Sequence, residues 1–228
     1  MAAAPVTLRA RTLILGVVVA VLVGAAGHGI FSGSTARPAS KVVAASATSA
    51  GPIEERDGLL VGFAHSRTGA ITAATTYVRE GQRLFDLPAG ERDAALRSIA
   101  ADGAADGVVG EQTPQLAELD GVAQRGQGPL TWMVSVLATR LDAYTSGRAE
   151  VSLWRIGILS VNGLMAPLAE WSTVDYELVW EHGDWRLWSE TQVPGPSPIA
   201  DPNQTPTTPS QWSSALNGFA RFPGQDPV

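Results

Sequence analysis

The chain has 228 residues and a net charge of −6, and its charges are unevenly distributed. All 22 acidic residues lie at or beyond Glu54, whereas four of the 16 basic residues precede it. The acidic part would repel phosphate backbones, so we expect no nucleic-acid binding. The chain contains no cysteine, which excludes disulfides, zinc–thiolate sites and a cysteine nucleophile.

An apolar segment near the N-terminus predicts a membrane anchor. Residues 13–31 contain no acid and no base except His28, and they are just long enough to span the hydrocarbon as a helix. Arg9 and Arg11 precede the segment and place the N-terminus in the cytoplasm. A cleaved signal peptide is the alternative, because the apolar core 13–23 is followed by small residues. Both interpretations export the rest of the chain.

Composition divides the exported part into a stalk, a folded domain and a tail. Small polar residues predict a flexible stalk, and prolines predict an extended tail. Trp212, Leu216 and Phe219 have helical spacing after Ser210, and we expect this apolar cluster to dock on its own domain rather than on a partner. The predicted boundaries are a cytoplasmic segment 1–12, a transmembrane helix 13–31, a stalk 32–56, a folded domain 57–193 and a Pro-rich tail 194–228 with a short apolar segment 211–222.

The first half of the folded domain is predicted to be helical. Apolar residues recur at helical spacing over 68–85, with Ser66 or Thr68 as the cap. Pro88 suits the first turn of a second helix that extends to Ile99. Thr113 and Pro114 resemble the cap and first position of a third.

The second half changes to a period of two and predicts four strands. They begin near Leu130 and cover 149–160, 170–180 and 185–193, with a hairpin turn over 181–184. Trp180 and Trp188 share the inward parity across that turn. Helices followed by consecutive antiparallel strands predict an α+β fold, with about three helices packed on a curved four-stranded sheet.

The segment from Tyr176 to Glu190, YELVWEHGDWRLWSE, resembles the closing hairpin of nuclear-transport-factor-two-like domains. The layout of 57–193 is similar to that cone-shaped fold. The anchor and stalk add a resemblance to the periplasmic domain of the type IV secretion inner-membrane scaffold family. Gram-positive conjugation proteins and uncharacterised actinobacterial membrane-anchored proteins are similar in the same way.

Residues that would carry chemistry are sparse. The three histidines, His28, His65 and His182, form no metal-ligand motif, and we expect no metal and no cofactor. His65 and Ser66 are adjacent, but a loop histidine beside a helix cap explains them better than a nucleophile and its base. We therefore predict no catalytic residues.

The sequence favours a non-enzymatic scaffold or interaction domain of a bacterial envelope complex, and the resemblance implies DNA-conjugation or type IV secretion machinery. The expected partners are the membrane and other envelope proteins, and a homo-oligomer is left open. The alternative is a small-ligand or lipid-binding pocket. A steroid-isomerase-like enzyme, which the resemblance also includes, would use Asp175 with Tyr144 or Tyr176, although Asp175 and Tyr176 should face opposite sides of the sheet. The candidate ligand-binding residues are Trp132, Trp154, Trp171 and Asp175.

Overall fold

The computed structural model describes residues 50–198 and 207–220. The predicted cytoplasmic segment 1–12, the membrane segment 13–31 and most of the stalk lie outside them. Among the described residues, no helix combines the length and apolar character needed to cross a bilayer.

The described chain begins with a small hairpin, continues through helices and long strands, and ends in a short helix. The elements are β1 (Glu54–Arg56), β2 (Leu59–Val61), α1 (Arg67–Arg79), α2 (Gly81–Asp86), α3 (Ala89–Ile99), α4 (Ala105–Arg125), β3 (Leu130–Tyr144), β4 (Arg148–Val161), β5 (Met165–Glu181), β6 (Asp184–Pro194) and α5 (Pro209–Ala215).

The hairpin of β1 and β2 corrects the predicted boundary of the stalk. β1 lies within 32–56, yet it pairs antiparallel with β2. Asp57 and Gly58, with φ of 49° and 84°, form the two-residue turn between them. Leu59 and Val61 are fully buried, so the hairpin is anchored in the core. Strands of three residues are too short to produce a detectable alternation.

The α+β prediction is confirmed. The four long strands form an antiparallel sheet in the order β3–β4–β5–β6. The helices lie against one face, here called the inner face, which contributes Val151, Leu153, Val174 and Leu178 to the main core. The opposite face is called the outer face.

Helix α1 approaches the sheet closely because its buried side is made of small residues. Ser66 caps the helix, and its hydroxyl accepts the Gly69 N–H at 3.0 Å. A Cβ on Gly69 would lie 1.8 Å from the Ala64 carbonyl oxygen, so only glycine fits there. Ala70, Ala73 and Ala74 are fully buried along the same side.

The other helices differ from the sequence prediction at two points. A turn at Glu80 divides the predicted helix 68–85, because the Glu80 N–H bonds to both Thr76 and Tyr77. The helix predicted to start at Pro114 begins nine residues earlier, at Ala105, and runs through the proline. Proline removes a single hydrogen bond, and the buried Leu116, Leu119 and Val122 keep the helix packed.

The closing hairpin is confirmed, but the predicted parity of Trp188 is wrong. His182 and Gly183, both with positive φ, form a two-residue turn that pairs Trp180 with Trp185. The register then shifts at Glu177/Leu178, and Trp188 becomes the unpaired residue of a bulge. Trp188 is 39% exposed, whereas Trp185 is fully buried.

The C-terminal segment docks on the outer face, as predicted. Leu216 and Phe219 are buried against Ala138, and Trp212 packs edge-on against Trp154 at 5.1 Å between ring centroids. Two backbone hydrogen bonds, each 2.8 Å, join Thr139 and Ala220. The helix is capped by Thr208 rather than Ser210, because Thr208 and Gln211 form a capping box.

Candidate functional site

A cavity of about 90 Å³ lies between the helices and the inner face of the sheet. One part of its wall is apolar and the other is polar. The apolar wall includes Leu84, Leu96, Val108, Leu116, Trp132 and Leu187, and the polar wall includes Gln112, Gln115, Arg155, Tyr176, Glu190 and Gln192.

Strand register brings the polar residues together. Tyr176 on β5 and Glu190 on β6 are direct partners, and Gln192 follows two residues after Glu190 on the same face. Arg155 on β4 pairs with Ser172 on β5. Alternation along three neighbouring strands therefore gathers a guanidinium, a phenol, a carboxyl and an amide at one end of the cavity.

Arg155 organises this polar end. Its Nε donates to the Ser172 hydroxyl at 3.1 Å, and a terminal nitrogen donates to the Gln192 side-chain oxygen. Gln192 is only 7% exposed, and Ser172 is also buried. Arg155 is thereby held by two neutral side chains, with the rest of its guanidinium available at the cavity wall.

The carboxyl of Glu190 is in an environment that disfavours its charge. Burial raises its pKa, Glu111 acts in the same direction, and Arg155 and Tyr176 oppose the shift. Burial and the Glu190 charge likewise raise the pKa of Tyr176 well above its ordinary value. Burial therefore raises the pKa of both groups, whereas their mutual hydrogen bond favours the Glu190 carboxylate and the Tyr176 phenol.

Two further ionisable groups at the cavity have structural partners. Tyr77 donates its hydroxyl proton to the Trp185 carbonyl at 2.6 Å. Glu80 accepts the Leu60 N–H at 3.3 Å and lies 3.4 Å from the Arg83 Nε. Burial raises the pKa of Glu80, and these contacts offset part of the shift. Both residues connect α1 to the neighbouring strands.

Replacing Glu190 with glutamine should stabilise the protein at pH 7.5 and change its stability little near pH 4. The folded state raises the pKa of Glu190, so ionisation costs folding energy that appears as pH rises above the unfolded value of about 4.3. Urea unfolding of the full chain at both pH values measures the effect. Glu150→Gln, at an exposed position of β4, is the control. A Glu190→Gln difference that is equal at the two pH values, or destabilising at pH 7.5, would contradict this assignment.

The four residues predicted to bind a ligand do not come together. Trp132 lines the cavity, and its ring lies over Gly81. Trp154 lies on the outer face, where its Nε1 donates to the Pro196 carbonyl at 3.0 Å. Trp171 is buried, and alternation along β5 places it on the face that carries Asp175.

Asp175 is an exposed residue of the outer face. It lies 2.5 Å from the Ser152 hydroxyl, which also contacts Asp142 at 2.6 Å and accepts from Arg140 at 3.2 Å. Tyr176 faces the opposite side, as its alternation with Asp175 predicts. A catalytic pair of Asp175 with Tyr176 is therefore not formed.

The two described histidines make contacts that hold loops. His65 stacks on Trp180 at 4.0 Å between ring centroids, and its Nε2 contacts the Ser146 carbonyl. His182 lies 2.9 Å from Asp102, whose N–H donates to Glu181 at 3.0 Å. Asp102, Glu181 and His182 are the described residues with the spacing to hold a metal ion. They are exposed or half-buried and already join the β5–β6 turn to the loop before α4.

The fold and the cavity define an α+β domain in which helices cover one face of a four-stranded antiparallel sheet and enclose a partly polar cavity. The chain belongs to the family described as a domain of unknown function, DUF8175, which matches residues 33–214. Among solved structures, the intermembrane space region of the chloroplast protein ARC6 is similar at 17% identity with a TM-score of 0.36. The match covers 55% of this chain and 97% of that one. No curated protein sequence matches.

Proposed function

We propose that this domain binds a small molecule in the cavity between its helices and its sheet. The observation that supports the proposal is the combination of an apolar wall with a buried polar end. Natural ligand sites have this composition, with many apolar contacts and a few polar groups that fix orientation. This is the pocket-domain alternative of the sequence analysis, and the contacts of the inner face favour it.

The polar end supports binding because polar groups in a protein core are normally satisfied by the protein itself. In the described part of the chain, the side-chain oxygen of Gln192 accepts from Arg155, whereas its amide nitrogen has no protein partner and is not fully enclosed by the protein. A bound molecule, or water in its absence, would complete these hydrogen bonds.

We propose binding without covalent chemistry. Among the described residues that line the cavity there is no serine, cysteine or histidine to act as a nucleophile or as its base. The cone-shaped, nuclear-transport-factor-two-like form is likewise a proposal. It is supported by the helices on one face of the sheet and by the hairpin of β5 and β6.

The experiment for this proposal is a small-molecule screen by saturation-transfer NMR, using the full chain in detergent. The screen contains propionate, propionamide, propylamine and butanol. Val108→Phe places a larger side chain in the cavity wall, and Val193→Phe is the control at an exposed position of β6. We expect at least one compound to bind, Val108→Phe to abolish binding and Val193→Phe to retain it. Absence of binding by all four compounds, or equal binding by both variants, would contradict a ligand site here.

The location of the domain stays a prediction from residues 13–31. An uncleaved anchor would hold the N-terminus in the cytoplasm and the domain outside the membrane. N-terminal sequencing of the protein extracted from membranes should then begin at or next to Met1. A start between residues 26 and 50 would instead identify a removed signal peptide.

A scaffold role in an envelope complex, including conjugation or secretion machinery, is the second candidate. The observation that favours it is the exposure of Trp188 and Val193 on β6, because exposed apolar residues are frequent at contact surfaces. A photo-crosslinker at Val193, used in intact membranes, should trap a neighbouring envelope protein or a second copy of the chain. A crosslinker at exposed Gly90 is the comparison position, and equal trapping at both positions would contradict this role.

A further inference from the structure

The chemistry of the cavity's polar end identifies the class of molecule that would complete it. Among the described residues, both hydrogen bonds of the Arg155 side chain go to neutral partners, Ser172 and Gln192. A guanidinium has five N–H donors, so donors remain on the terminal nitrogens. The amide nitrogen of Gln192 adds two more beside them. This end of the cavity is therefore rich in hydrogen-bond donors, and a ligand that accepts hydrogen bonds would complement it.

The charge at the polar end of the cavity also favours a ligand that accepts hydrogen bonds. Arg155 is always ionised, whereas burial raises the pKa of Glu190 and its side chain interacts with Tyr176. Among the described residues that line the cavity, Arg155 is the one cation, and it hydrogen-bonds to the neutral Ser172 and Gln192 rather than to Glu190. It would repel a cationic amine from the cavity and attract an anion, and its planar fork matches the two oxygens of a carboxylate.

The size of the cavity limits the molecule. An apolar protein cavity of about 150 Å³ holds benzene, so a cavity of about 90 Å³ suits a molecule with fewer heavy atoms than benzene. The apolar wall, with Leu96 and Leu187, would contact the carbon chain of the molecule.

We infer that the cavity binds a small aliphatic carboxylic acid as its anion, with the carboxylate on Arg155 and Gln192 and the carbon chain against the leucines. This inference rests on the proposed function and narrows it to one class of ligand. The arrangement resembles general carboxylate recognition by arginine, in which two parallel N–H donors contact two oxygens.

The test compares three probes with a three-carbon chain on the full chain in detergent: propionate, its neutral isostere propionamide, and the cation propylamine. Dissociation constants are measured by saturation-transfer NMR titration at pH 7. We expect propionate to bind at least about tenfold more tightly than propionamide, because hydrogen bonds to charged groups are the stronger ones. Propylamine should bind most weakly.

Arg155→Gln should weaken propionate binding by about tenfold or more and leave propionamide nearly unchanged. Arg155→Lys keeps the charge and should retain part of the affinity, which provides a second variant if Arg155→Gln does not fold. Arg140→Gln, an arginine of the outer face, is the matched control and should bind like the wild type. Circular dichroism establishes that each variant is folded.

The possible outcomes separate this inference from the proposed function. If propionamide or propylamine binds as tightly as propionate, the carboxylate inference is wrong and the cavity remains a ligand site. If propionate binds equally to the wild type and to folded Arg155→Gln, the role of Arg155 is wrong. If none of the probes binds, and butanol does not bind either, both the inference and the proposed function fail.

Discussion

Trp185→Ala should lower the free energy of unfolding by about 3–5 kcal/mol, which approaches the whole stability of a domain of this size. Trp185 is fully buried, and its indole N–H donates to the Ala64 carbonyl at 3.0 Å. Its ring also contacts Trp180 at 5.3 Å and Tyr144 at 5.7 Å between centroids. The substitution removes the largest fully buried side chain of the described core and one of the two donors to the Ala64 carbonyl, which keeps the Ser66 N–H.

Urea unfolding of the detergent-solubilised full chain, followed by circular dichroism, measures the effect. Trp188→Ala is the matched control, because Trp188 lies three residues away on the same strand and is 39% exposed. Trp188→Ala should lower the free energy of unfolding by less than about 1 kcal/mol. Equal losses for the two variants would show that the register of β6 is not the one described.

Asp184→Ala should lower the free energy of unfolding by about 3 kcal/mol or more. The Asp184 carboxylate is 3% exposed and accepts three backbone N–H groups. These come from Gly62 at 2.9 Å, Phe63 at 2.8 Å and Trp185 at 2.9 Å. Alanine would leave the three donors in the interior without an acceptor, and it would disconnect the segment before α1 from the closing hairpin.

The control for Asp184 is Asp175→Ala, an exposed aspartate of the adjacent strand β5. Asp175 contacts the Ser152 hydroxyl, which keeps its other partners, so the loss should be below about 1 kcal/mol. The same urea titration compares the two variants. If Asp184→Ala is no more destabilising than Asp175→Ala, Asp184 does not connect the two segments.

The strands could be predicted because alternation is a local property. The period of two and the turn at His182–Gly183 lie within a few residues of each other, and the hairpin follows from them. The bulge at Glu177/Leu178 could not be predicted, since no residue there demands it. Trp188 lies three residues after the inward Trp185, so alternation from the turn directs it outward, and the inserted residue reverses the side chains beyond it, which brings Glu190 to the inner face.

Helix boundaries were less predictable because they depend on packing. Pro114 is a strong local signal for a helix start, and it fails here because tertiary contacts of the following turns keep α4 continuous. The docking of the C-terminal segment could be expected from Trp212, Leu216 and Phe219. Its place beside Thr139 depends on the outer face of the assembled sheet.

The candidate site was predicted only at Trp132. Large aromatic side chains are frequent in ligand sites, but Trp154 belongs to the outer face, where it packs with the C-terminal segment. The residues of the polar end, such as Arg155 and Glu190, are single polar positions in three different strands. Their convergence depends on strand register, which sequence alone does not provide. A polar residue at an inward position of a strand is the signal that would have identified them.

The central claim is that a small ligand occupies the inner cavity. Tryptophan provides the most direct test, because Trp132 lines that cavity whereas Trp154 packs against Trp212 on the outer face. The full chain, labelled with 5-fluorotryptophan, gives one ¹⁹F resonance for each of its seven tryptophans, assigned by Trp→Phe substitution. Titration with propionate should shift the Trp132 resonance and leave the Trp154 and Trp212 resonances unchanged. A titration that shifts Trp154 or Trp212 while Trp132 stays fixed would contradict the account and place binding on the outer face.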